Sequence, residues 1–339
     1  MLGEQHFVTA AQAAGQVAGI AMPHCSETDP PRSQGSALRR RVERHNNMRV
    51  FPTMKMRLLA GVAGLAAACL ASATPAFAQE EAPGPITVSG SVGIVSEYRF
   101  RGVSQSDRDL AVQGGVTVSH ESGIYVGTWG SNLAGWGTFG GSNMELDLIA
   151  GYKAQLGEGA TLDIGATWYM YPGGFDNTDF IEPYVKLSGT TGPLSLTAGA
   201  AYAPKQEALG AWYATGADAA DGVYTDPGDK NYNLYLWGDA AAGIPDTGLT
   251  LKAHIGYSKG NKGLGPFATS VAPTGEYWDW LIGADYVIPS TPLTIGVAYI
   301  DTDIGKGESA YLQPSFSRGQ DGTGSIAGST VIASLTAAF

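Results

Sequence analysis

Ser258 stands in the run Gly256-Tyr257-Ser258-Lys259-Gly260, which fits the G-x-S-x-G pattern of a nucleophile elbow. A serine placed that way attacks an ester or amide carbonyl once a histidine takes its proton. The nearest histidine, His254, lies four residues away on the same extended run. At 3.3 Å per residue that is about 13 Å, beyond hydrogen-bond reach. The elbow also needs a strained strand-to-helix turn, and this run leads from a strand pattern into a loop. His120 falls beside a short turn, away from the long loops. No triad closes, and the chain is expected not to be an enzyme.

Two other patterns carry even less chemistry. Gly135-Trp136-Gly137-Thr138-Phe139-Gly140 matches G-x-G-x-x-G. A dinucleotide site would need a following helix to offer its N-terminus to the pyrophosphate, yet a two-residue alternation begins at Asn143. Asp218, Asp221, Asp226 and Asp229 crowd one long loop without the alternate spacing of a calcium-hand loop. They read as a solvated loop. The sharper alternative is loose Ca²⁺ or Mg²⁺ bridging to lipopolysaccharide phosphates.

The charges on alternating runs say more. Glu97, Arg99 and Arg101 share one face of an extended segment, with acid and base about 7 Å apart. Glu145, Asp147, Lys153, Asp163, Glu182, Lys186, Asp239 and Lys252 occupy the polar faces of later runs, as do Asp279, Asp285 and Asp301. All are expected to face inward, and the first eleven are the pore-lining candidates.

The elements that position them are strands. From Ile86 to Arg101 one face carries Ile86, Val88, Val92, Ile94, Tyr98 and Phe100, and the other is polar. Met144–Leu156 and Leu249–Tyr257 repeat this period of two, the signature of a half-buried strand. About twelve such segments follow one another, centred near Ile94, Val116, Val126, Ile149, Ile164, Val185, Leu196, Leu236, Leu251, Ile282, Ile295 and Val331. Short connections alternate with long ones throughout. The expected fold is an all-β, transmembrane, antiparallel up-and-down barrel. Tyr98, Phe100, Trp168, Tyr171, Tyr202, Tyr232, Trp278, Tyr299 and Phe339 fall near segment ends, where rings suit the headgroup level. The last segment, Thr330–Phe339, ends on a phenylalanine, like the closing strands that serve the assembly of bacterial outer-membrane proteins.

Composition agrees. Of 339 residues only 15% are charged, 48 are glycine, and the net charge is −11. The acidic balance excludes a nucleic-acid partner. Met54–Ala78 has the charged start, apolar middle and small-x-small end of a secretory signal, with cleavage expected between Ala78 and Gln79. Residues 1–53 are expected to be a non-structural leader or a start assigned too early, with translation from Met48 or Met54. Residues 79–339 then hold 12 Lys+Arg against 27 Asp+Glu, net −15, and no cysteine, since Cys25 and Cys69 precede them. Thiol chemistry and cysteine-held zinc are excluded from that part.

Ser96-Glu97-Tyr98-Arg99-Phe100-Arg101-Gly102-Val103-Ser104-Gln105 resembles the opening motif of the TorF-family porins. Gly123-Ile124-Tyr125-Val126-Gly127-Thr128-Trp129-Gly130-Ser131-Asn132 resembles that family's next block. The resemblance spans Gln79–Phe339 and implies a bacterial outer-membrane barrel. With the residue reading, it gives an expected porin-like channel for small hydrophilic solutes, mildly cation-preferring through its excess of acids and without cofactor. Its expected partners are outer-membrane lipid, lipopolysaccharide and the barrel-assembly machinery. The alternative is a non-conducting barrel that binds a partner at the cell surface.

Overall fold

The computed structural model describes residues 84–339 apart from 158, 269, 313–315 and 317–325. The leader, the signal and the Ala78/Gln79 junction lie outside the described residues. Twelve strands form a closed barrel: β1 (Ile86–Val95), β4 (Ala111–His120), β5 (Ile124–Asn132), β6 (Met144–Gln155), β7 (Ala160–Met170), β8 (Phe180–Thr191), β9 (Leu194–Gln206), β10 (Asn231–Gly243), β11 (Leu249–Lys259), β12 (Glu276–Val287), β13 (Leu293–Thr302) and β14 (Thr330–Ala338). Two short strands, β2 (Arg99–Phe100) and β3 (Val103–Ser104), pair only with each other. Each expected segment centre falls inside one barrel strand. Every pairing in the barrel is antiparallel between neighbours, and β1 closes it against β14. Phe339 completes the seam, exchanging two backbone hydrogen bonds with Gly90.

Lengths of 9 to 13 residues suit a tilted membrane strand. Alternation sorts their side chains. On the outer face Val92, Val126, Ile164, Leu196, Ile282 and Val331 are exposed. Such a band would be costly in water on every strand and is favourable against hydrocarbon. Trp168, Tyr202, Trp278 and Tyr299 are exposed near the long-loop end, and Tyr152 and Tyr286 near the tight-turn end, which makes two aromatic belts. No helix among the described residues is long and apolar enough to cross a membrane.

Three expectations need correction. The alternation from Ile86 to Arg101 is not one strand: β1 stops at Val95 and the chain turns into the barrel. Any extended backbone satisfies a period of two, so the pattern did not distinguish wall from hairpin. Tyr98 and Phe100 are therefore buried inside rather than placed at the headgroup level, and Tyr171 is buried too because it shares the inward parity of Thr167 and Tyr169. Asp301 faces outward, because it shares the parity of exposed Val297 and Tyr299, and its carboxylate accepts from the Tyr299 hydroxyl at 2.9 Å.

Candidate functional site

After β1 the chain folds across the lumen as a small hairpin. Its two turn residues, Arg101 and Gly102, have φ of 49° and 78°, the paired left-handed conformation of a tight hairpin turn. A Cβ at Gly102 would press on Thr302 and Asp279 of the barrel wall. On one side the Tyr98 hydroxyl donates to Glu145 at 3.1–3.2 Å, and its ring meets Trp129 edge-on. On the other side Arg101 Nη2 donates to Glu182 Oε2 at 2.5 Å, and the guanidinium lies 4.1 Å from the Tyr235 ring centre. With its amide turned so that the oxygen faces Arg101, Asn233 accepts from Nη1 at 2.6 Å. Tyr277 donates to the Arg101 carbonyl at 2.9 Å. One residue thus joins β8, β10 and β12. Within the hairpin Arg99 Nε pairs with Glu97 at 2.7 Å, and Nη1 donates to the carbonyls of Gly102 and Gly328.

Below Phe100 and Arg101 lies a cavity of about 640 Å³, whose lining reaches Gln155, Thr161 and Ser188 near the tight turns. Its walls stay open partly because inward glycines let rings lie flat. Trp237 sits directly over Gly199, its cross-strand neighbour, where any Cβ would overlap the indole. Charges on the walls meet between neighbouring strands, some in direct register and some on the diagonal. Lys153, Asp163 and Lys186 are successive partners across β6, β7 and β8, with Lys186 Nζ 3.0 Å from Asp163. On the other side Lys252 pairs with Asp285 at 2.6 Å. His254 Nδ1 lies 2.6 Å from Asp239, and its Nε2 lies 3.2 Å from Asp279 and 2.8 Å from the Tyr235 hydroxyl.

Over the barrel the long loops share a buried apolar cluster that includes Trp136, Tyr213, Leu264, Leu312 and Phe316. Burial there, with a hydrogen bond to Tyr224, pushes the Tyr213 hydroxyl up to about 12.

Residues 79–339 match the model of a family described as "Bacterial protein of unknown function (Gcw_chp)". The chain belongs to this family. No curated protein matches it. Among solved structures it is similar to a KdgM porin in complex with disordered oligogalacturonate, at 9% identity and a TM-score of 0.42, over 75% of this chain and 99% of that one. It is also similar to an outer-membrane channel from Pseudomonas putida F1, at 12% identity and a TM-score of 0.38, over 78% and 98%. The outer-membrane channel DcaP of Acinetobacter baumannii gives 13%, 0.34, 75% and 97%.

In this Gcw_chp chain seven of the eleven sequence candidates line the cavity: Arg101, Lys153, Asp163, Glu182, Lys186, Asp239 and Lys252. Glu97, Arg99, Glu145 and Asp147 are buried and absent from its lining. Glu97 and Arg99 touch instead of standing one strand repeat apart, since they belong to the hairpin. The sequence reading missed the partnership of His254 with Asp239 and Asp279, which only the register of β10, β11 and β12 brings together. Ser258 is buried with no hydrogen-bond partner for its hydroxyl among the described residues, and His254 is engaged elsewhere. Gly135–Thr138 forms a short 3₁₀ turn, with no α-helix between it and β6.

The acidic loop holds a short helix, α1 (Gly216–Asp221), where Asp218 and Thr215 cap each other. Asp229 accepts from the Ala211 amide at 2.8 Å. Among the described residues no group of acids and histidines is arranged to hold a metal ion.

Proposed function

We propose that the chain is an outer-membrane channel for passive diffusion of small hydrophilic solutes, with the hairpin around Arg101 as its constriction. The observation that carries this reading is a charge-lined cavity of about 640 Å³ inside a closed barrel with an apolar outer face. A polar interior, a lipid-facing exterior, tight turns at one end and long loops at the other are the features of outer-membrane barrels. The likeness to TorF-family porins at Ser96–Gln105 supports the same reading. It includes export after cleavage between Ala78 and Gln79, assembly through the strand ending at Phe339, and long loops facing lipopolysaccharide. No covalent chemistry or cofactor enters it.

The expected cation preference finds no support on the cavity wall. Arg101, Lys153, Lys186 and Lys252 stand against Asp163, Glu182, Asp239 and Asp285 there. The reading therefore gives weak ion selectivity. Purified protein in planar bilayers tests it: discrete conductance steps with a reversal potential near zero in a salt gradient are expected. An absence of steps favours the second reading, a closed barrel that binds a surface partner. The apolar cluster shared by the long loops is the observation behind that alternative.

A further inference from the structure

We infer that the cavity is a site for small zwitterions of dipeptide size, with the carboxylate end held at Lys153 and the ammonium end at Asp239. This rests on the channel reading, whose solute class it names.

The charge lining the cavity is balanced in sum but not in place. On β6–β8, Asp163 is already engaged by Lys186 at 3.0 Å and by the Tyr125 hydroxyl at 2.7 Å. Lys153 makes no ion pair among the described residues; its Nζ lies 4.9 Å from the centre of the Tyr125 ring. Two bases and one acid leave that wall net positive. On β10–β12, Lys252 and Asp285 cancel at 2.6 Å. His254 lies between Asp239, which lines the cavity, and Asp279, which is buried outside its lining, so the trio is net negative whether the ring carries one proton or two. Arg101 and Glu182 cancel each other at the roof.

Strand order keeps the two excesses apart. β6 and β10 are four strands apart in a ring of twelve, a third of the circumference. Strands about 4.8 Å apart and tilted about 40° make a barrel roughly 24 Å across, so those walls stand about 20 Å apart between backbones. Once both side chains reach inward, the gap exceeds the span of a single α-amino acid and calls for a solute at least as long as a dipeptide. Between them Ser188 and Thr197 offer hydroxyls, and Trp237 offers a flat face, all on the same cavity. A simple anion or cation meets one favourable wall and one unfavourable wall. A neutral sugar gains from neither, and a zwitterion gains from both.

Liposome swelling with full-length protein tests this by comparing glycylglycine with arabinose, a neutral solute of similar size. Glycylglycine is expected to enter at least threefold faster. Lys153→Gln and Asp239→Asn should each bring the ratio close to one, and Lys153→Arg should keep it, with the barrel fold of each checked by heat-dependent gel migration. Equal entry of the two solutes in the unaltered protein overturns the inference, as does a full preference in both neutralised variants. If one neutralised variant fails to fold, the other decides. Swelling with neither solute contradicts the channel reading itself.

Discussion

The two halves of the lumen use charge in opposite ways. Near the long loops, Arg101 pairs with Glu182 from 81 residues away, and both side chains are 4% exposed. That pair reaches into the bore and fixes a hairpin there. Near the tight turns, Lys186 pairs with its cross-strand neighbour Asp163 while staying 32% exposed. Pairs made along the wall leave the bore free. Where a partner sits in the register thus decides whether a charge blocks the lumen or lines it.

The sharpest way to break this contrast is Arg101→Ala. It leaves Glu182 buried and uncompensated, at a cost of about 3–5 kcal/mol. Urea unfolding in detergent micelles, followed by tryptophan fluorescence, should show that loss; a change below about 1 kcal/mol would place the pair in a far wetter setting. Next comes the outer face. Ile282→Arg puts a base into the lipid-facing band midway along β12, and about 2–4 kcal/mol of stability should be lost in lipid vesicles. In the open half, Gly199→Val must push the Trp237 ring off the wall, costing about 1–3 kcal/mol by overpacking. It should also slow sugar entry into liposomes. The smallest effect belongs to Lys186→Met, about 1 kcal/mol or less, because that pair is partly open to water. Equal losses for Arg101→Ala and Lys186→Met would erase the distinction between the halves.

The wall of this molecule was legible from sequence because membrane strands must alternate and must close. Ile164, Val185 and Ile282 announce their strands by parity alone, and the alternation of short and long connections gives the order. The hairpin at Arg101 was not legible, since Tyr98 and Phe100 keep the period of the strand before them. The sole local sign was Arg101-Gly102, a pair able to take two positive φ values. His254 drew notice only as a base for Ser258. Its true neighbours, Asp239 and Asp279, are 15 and 25 residues away, and sequence does not fix the cross-strand register that joins them. Asp301 was readable and misassigned: counting from Val297 places it outside.

A hairpin held by Arg101 that narrows a conducting barrel must limit its conductance. Single-channel conductance of the unaltered protein and of Arg101→Ala, each confirmed as folded by heat-dependent migration, tests it most directly. Small steps are expected in the first and steps at least twofold larger in the second. Equal steps in the two proteins, or none in either, would contradict it.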